Sequence, residues 1–314
     1  MERLSVIVAG CAWPHGRPTD GLILMRKQFL FATRRVLVAG LISGAFAGLG
    51  WSAPAAAGPA TGGGSFAASY ALTLAGVSIG AASLAAKIDN SGAYALDMHA
   101  KLTGLAGVLV SGKGGARATG VINGDRAIPA SLAVIASTAS DKRTLRMSFA
   151  GGAVSAIEIN PPLEDWDRPD RIPVAASHRQ SVIDPLSALL MPAPGKSLAD
   201  ACNRTIPVFD GATRFDVVLR YKGTTTISQG GYTGPAATCS ARYAPVAGHR
   251  PLRSMTKFMV ENTDMGVTLI PVGDTGIYAP WRIHVRTTLG MSMLQATRVR
   301  IEGLQAVASR RDKK

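Results

Sequence analysis

The chain has 314 residues, of which 47% are hydrophobic and 17% charged, with 35 Gly and 18 Pro. That excludes general disorder and favours turns and strands over long helices. Aromatics are only 6%, which excludes a surface of stacked rings for sugars or bases; the net charge of +14 favours anionic partners.

In chain order, residues 1–24 carry no periodic pattern and read as an upstream extension with a doubtful start. Residues 25–57 read as a signal peptide. Arg26, Lys27, Arg34 and Arg35 form a basic region, Val36 to Gly50 is apolar, and Ala55-Ala56-Ala57 offers small residues for cleavage. The apolar stretch is shorter than the ~20 residues of a membrane helix, so an uncleaved anchor is the minor alternative. Val8-Ala9-Gly10-Cys11 looks like a lipoprotein box but follows too short an apolar run. Residues 58–65 form a Gly/Ala/Pro linker, a β-rich domain is expected over 66–304, and 305–314 is a basic tail. Behind the leader only Cys202 and Cys239 remain, and an exported chain is expected to join them.

The body alternates as half-buried strands do. Tyr70, Leu72 and Leu74 start the pattern, and Val77 and Ile79 resume it after Gly76. Asn90-Ser91-Gly92 is a turn before Tyr94, Leu96 and Met98; Asn123-Gly124 is another, before Leu132, Val134 and Ala136. Leu145, Met147 and Phe149 lead to a Gly151-Gly152 hairpin, then Val154, Ile157 and Ile159. A proline-rich loop over 160–180 carries Glu164, Asp165 and Asp167, read as solvated acids rather than a calcium loop. Asp184-Pro185 opens a short helix with Leu186, Leu189 and Leu190 on one face, ended by Pro192. Phe215, Val217, Leu219 and Tyr221 form a strand, and Lys222-Gly223 is expected to turn the chain into Thr224–Ser228. Further strands are expected at 238–244, 253–261, 265–271, 281–288 and 293–302. The fold class is mostly β: a large curved antiparallel sheet or partly open barrel with one or two short helices.

Several of these landmarks carry a resemblance. They are Tyr70…Gly76-Val77-Ser78-Ile79-Gly80, Asp184-Pro185-Leu186-Ser187-Ala188, Val208-Phe209-Asp210-Gly211 with Arg214-Phe215-Asp216, Cys239…Tyr243-Ala244-Pro245-Val246-Ala247-Gly248-His249, and Pro280-Trp281-Arg282…Thr287…Gly290. In this order and spacing the chain resembles the DUF3108 family. The resemblance implies an exported, β-rich envelope protein and transfers no catalytic residue.

Gly76-Val77-Ser78-Ile79-Gly80 matches G-x-S-x-G, and Ser78, Asp184 and His249 or His284 follow in an order compatible with a hydrolase triad. The nucleophile elbow, however, needs a strand-to-helix turn in an α/β fold, whereas strands flank Ser78 here. Gly195-Lys196-Ser197 lacks the earlier glycine of a phosphate loop, since position 190 is Leu, and reads as a turn. His99, His178, His249 and His284 have no ligand spacing, so neither metal nor cofactor is expected. Asp184 and Asp210 have structural roles available, as a helix cap and an Asp-Gly turn. His249, Arg250 and Arg282 are the candidate contacts for an anion.

The sequence therefore points to a non-catalytic binding or carrier module of the periplasm or envelope, holding an apolar or anionic envelope molecule such as a lipid. The alternative is a serine hydrolase using Ser78. Export and few aromatics argue against nucleic acid, and the oligomeric state is not legible.

Overall fold

The computed structural model describes residues 63–103, 111–163, 167–193 and 197–303. The upstream extension, signal peptide, basic tail, Cys11, Glu164, Asp165, Gly195 and Lys196 lie outside the described residues. The described chain forms fourteen strands, all laddered antiparallel.

The first half is an unbroken meander. Its strands are β1 (Gly64–Leu74), β2 (Val77–Ile88), β3 (Ala93–Leu102), β4 (Gly112–Asn123), β5 (Arg126–Thr138), β6 (Lys142–Ala150) and β7 (Ala153–Asn160). The expected turns at 123–124 and 151–152 are present, with positive φ at Gly124, Gly151 and Gly152. In the turn before β3, Asp89 Oδ1 accepts from the Ser91 and Ala93 amides, the device that makes Asp a turn former.

The second half runs β8 (Met191–Pro192), α1 (Leu198–Cys202), β9 (Arg204–Phe209), β10 (Arg214–Gln229), β11 (Tyr232–Ala247), α2 (Ser254–Glu261), β12 (Met265–Pro271), β13 (Ile277–Thr287) and β14 (Gly290–Gly303). The sheet order is β7-β6-β5-β4-β3-β2-β1-β14-β13-β12-β11-β10-β9, with β8 beside β13. The first and last strands therefore meet in the middle, and β7 and β9 are the two edges. The connecting chain spans them: Gln180 bridges Ala153 of β7, and Ile183 bridges Val208 of β9. This segment blunts two edges that would otherwise expose unpaired backbone.

Most inward side chains of both halves form one buried cluster, and Leu72, Leu74 and Ile79 form a smaller one where β1 turns into β2. The larger includes Phe66, Tyr70, Leu84, Tyr94, Leu96, Leu145, Met147, Phe209, Ile270 and Trp281. The β12–β13 register skips Trp281, and this bulge aims the indole inward. Tyr70 Oη donates to the Pro280 carbonyl at 2.8 Å, satisfying a hydroxyl that burial would otherwise penalise. An outer cluster lies on the opposite face of β10–β13, where Leu219, Ala237, Cys239, Val267, Leu269 and Tyr278 pack under Met191, Ala201 and Cys202. The Cys202–Cys239 disulfide fastens α1 there, as expected from the cysteine count; it closes 37 residues of chain, worth about 4 kcal/mol in the loop-entropy picture.

Three expectations are corrected. Residues 253–261 contain α2, not a strand: Phe258 and Met259 sit half-buried on one side, and the Arg242 guanidinium donates to the Val260 carbonyl near the helix end. Lys222-Gly223 is not a turn. β10 runs through it with a bulge between Tyr221 and Gly223 because β11 pairs with both of its halves, and the hairpin turns at Gly230-Gly231. The Asp184–Leu190 helix is a single 3-10 turn, Ser187–Leu189, after which Leu190 is already extended toward the pairing of Met191 with Tyr278. Leu145, Met147 and Phe149 belong to the inner cluster, and Val217 and Leu219 to the outer one. Among the described residues, no helix is long and apolar enough to cross a membrane.

Candidate functional site

Three loops far apart in sequence converge around the turn between β9 and β10. Asp210 begins it. Its Oδ1 accepts from the Ala212 and Thr213 amides at 2.9 and 2.6 Å, and Gly211 takes φ 97°. Arg171 donates to the Ala212 carbonyl at 3.3 Å. The 170s loop pairs with the end of β11, since Gly248 N donates to Ile172 O and Ile172 N to His249 O. A Cβ on Gly248 would lie 2.1 Å from the Ala212 carbonyl oxygen, and its φ is +79°, so glycine is what allows these loops to touch. Arg250 then locks the junction through Nε and Nη2 to Asp170, both at 2.8 Å. Arg214 and Asp216 pair at 2.7 Å beside it.

Burial sets the electrostatics. The Asp210 carboxyl is raised to about 6, chiefly because burial penalises its charge; the Ala212 and Thr213 amides and the Arg171 charge oppose this. His249 is lowered. Burial is the main cause, opposed by the Ala247 backbone and reinforced by Arg171. Tyr243, stacked at a tilt 5.2 Å from Phe215, is pushed up to about 12 by burial and by the Asp210 charge. Asp210 is thus shifted up and His249 down within the field of one guanidinium, Arg171. Such pairs mark functional sites, and ion-pair networks that only hold loops together produce them too.

Of the residues singled out from sequence, His249 and Arg250 belong to this junction. Arg250 is engaged by Asp170. Arg282 is elsewhere, on β13, where its Nε donates to Gln295 of β14. His284, two residues on, rests against the bare backbone of Gly266. Ser78 is exposed at the start of β2, following the Ala75-Gly76 turn and followed by ten strand positions of which the last is Ile88. It has no elbow. Asp184 is fully buried, its Oδ1 accepting from the Leu186 and Ser187 amides. Burial raises its pKa. Tyr94, opposite Ile88, donates to the Ser187 hydroxyl at 2.9 Å. Asp184 is therefore anchored ten residues of β2 away from Ser78, roughly 33 Å along the strand, and the two do not assemble into a triad. Among the described residues no three potential metal ligands cluster.

Arg171, Asp170 and Tyr243 were not singled out from sequence. Asp170-Arg171 lies in an aperiodic proline-rich loop and Tyr243 within a strand, so nothing local distinguishes them. The only signal was indirect: the Val208–Asp216 and Tyr243–His249 motifs that carry the family resemblance are the ones that meet here.

The model of the family described as "Protein of unknown function (DUF3108)" matches residues 66–296. The chain belongs to the DUF3108 family. Among curated proteins nothing matches. Among solved structures, the chain is similar to a β-barrel-like protein of domain of unknown function DUF1849 from Brucella abortus, at 8% identity and a TM-score of 0.43, over 76% of this chain and 97% of that one. This DUF3108 protein thus has a β-rich architecture and a family with no assigned activity.

Proposed function

We propose that this DUF3108 protein is exported to the periplasm and binds an anionic molecule of the cell envelope on its surface, without chemistry on it. The observation that carries this reading is the unequal use of its charges. Eight of its aspartates are engaged internally: Asp97 on Arg117, Asp141 on Arg143, Asp170 on Arg250, Asp216 on Arg214, Asp264 on Arg286, with Asp89, Asp200 and Asp210 holding turns and caps. The lysines are not. Lys101 and Lys113 stand directly opposite each other on β3 and β4, exposed and with no ion-pair partner among the described residues. Like charges in that position repel, and an anionic ligand would relieve them.

The packed inner cluster favours a surface ligand over an apolar cargo held inside the sheet. Export is supported by the order of basic, apolar and small residues over 25–57 and by the disulfide, which persists in oxidising compartments. Native mass spectrometry of periplasmic protein, paired with flotation on phosphatidylglycerol and phosphatidylcholine vesicles, tests the proposal. A co-purifying anion, or salt-sensitive retention on the anionic vesicles alone, is expected. No bound anion and no preference between vesicles would overturn it.

A further inference from the structure

One long edge of the sheet is left incomplete. On one side β1 pairs with β14 along its whole length, from Leu74↔Ser292 to Gly64↔Gly303. On the other side β13 pairs with β14 only from Thr287↔Gly290 to Arg282↔Gln295. Beyond Gln295 the place of a neighbouring strand is taken by the tip of the β10–β11 hairpin, where Val299 N donates to the Gly230 carbonyl at 2.6 Å. Only glycines fit. A Cβ on Gly230 would stand 2.9 Å from the Trp281 ring and 3.0 Å from the Thr297 carbonyl oxygen, and one on Gly231 would stand 2.7 Å from the Val299 oxygen. Both take positive φ, 63° and 82°.

The tip touches the strand without covering it. Between them lies a cleft of about 470 Å³ lined by Gly230, Gly231, Thr297, Arg298, Val299 and Arg300, a volume within the ~300–1,000 Å³ range of small-ligand sites. The bulge in the β1–β14 ladder brings Arg298 opposite Ser69 and Arg300 opposite Ala67, so small side chains flank both arginines. They are exposed, and neither has a carboxylate partner among the described residues. The next acid along the same face, Glu302, accepts from the Ser65 hydroxyl at 3.4 Å.

We infer that this cleft is a phosphate-binding site, with Arg298 and Arg300 as its recognition residues. The inference rests on the anionic-ligand reading above and adds to it a site on β14, three strands from the Lys101–Lys113 pair. Two residues apart on one strand face, the two Cα atoms are ~6.6 Å apart, which lets two guanidiniums close on different oxygens of one tetrahedral group. A planar carboxylate is satisfied by a single guanidinium fork; a phosphate offers enough oxygens for two. The group could come from a phospholipid headgroup or from a soluble phosphoester.

The test uses the full chain with its disulfide intact. Binding of inorganic phosphate is followed by calorimetry at low salt, and retention on phosphatidylglycerol against phosphatidylcholine vesicles by flotation. Arg298→Gln with Arg300→Gln is expected to weaken phosphate binding at least tenfold, while Arg117→Gln, remote from the cleft, leaves it unchanged. Near-UV circular dichroism checks folding, and the Arg298→Lys, Arg300→Lys pair, which keeps charge without the fork, should fall between. Phosphate binding that also tracks with vesicle retention assigns the headgroup; phosphate binding without vesicle retention assigns a soluble phosphoester. Equal phosphate and vesicle binding by wild type and the Gln pair would overturn the site but leave a surface ligand elsewhere. A wild-type protein that binds neither probe overturns both readings.

Discussion

The two halves of the sheet are built from similar strands but solve burial differently. In β2 the burial pattern alternates along nearly the whole strand, with Leu84, Ala86 and Ile88 inward and their neighbours in solvent. In β13 the first five residues, Ile277 to Trp281, are all buried, and in β12 both Leu269 and its neighbour Ile270 are. The reason is the outer cluster. β8 and α1 cover the outer face of β10–β13, so those strands lie between two cores, whereas β1 and β2 of the meander bury side chains on one face. Alternation in sequence survives only where one face meets water.

The largest expected effect tests the joint between the halves. Trp281 packs into the inner cluster, lies 6.3 Å from the Tyr232 ring and touches the Gly230 turn. Trp281→Ala should cost about 3–5 kcal/mol by cavity formation, read as a lowered urea midpoint. A loss under about 1 kcal/mol would mean that the hairpin tip does not depend on it.

Next comes the outer cluster alone. Replacing Cys202 and Cys239 with Ala should cost about 2–5 kcal/mol. Hydrogen exchange should rise first in α1 and around β9, while the amides of β2 and β3 keep their protection. Uniform loss of protection across both halves would refute a separable outer layer.

A pH dependence follows from the junction. The folded Asp210 carboxyl, at about 6, stands above its ordinary value of 3.8. The folded state therefore holds the proton more tightly than the unfolded one, and stability from this group is full below 3.8 and is lost as pH rises through about 6. Asp210→Asn keeps the oxygen that accepts from Ala212 and Thr213. Its melting temperature should vary less between pH 4 and 7 than that of wild type; identical profiles would show that Asp210 does not titrate in this window.

The smallest effect is expected at Asp170. Its carboxylate is held below the ordinary value by the Arg250 hydrogen bond, yet both partners are partly exposed. Asp170→Asn should cost little stability, and the difference should shrink in high salt. A larger, salt-insensitive loss would make the junction a core element rather than a surface latch.

The errors of the sequence reading cluster where burial is two-sided or non-local. Tyr94, Leu96 and Met98 were legible as a strand because each neighbour is more exposed. At Tyr221–Gly223 a Lys-Gly pair has the local chemistry of a turn, but pairing with β11 on both sides keeps the strand continuous. Helix α1 was missed because only five residues are helical and Ser197 with Asp200 makes its cap from a segment that reads as a turn. The site was half legible: His249, Arg250 and the Asp210 turn stood out, while Asp170, Arg171 and Tyr243 did not.

By itself the sequence determined the β class, the hairpin turns of the meander, the cysteine pair and the membership of a family, since each rests on residues adjacent in the chain or on simple counting. Only the tertiary structure decided that the first and last strands pair, that one half of the sheet carries a second core, and that two distant motifs meet at Gly248. Strand register, loop convergence and the side of a sheet that a helix covers depend on contacts between residues far apart in sequence, and local propensity carries no information about them.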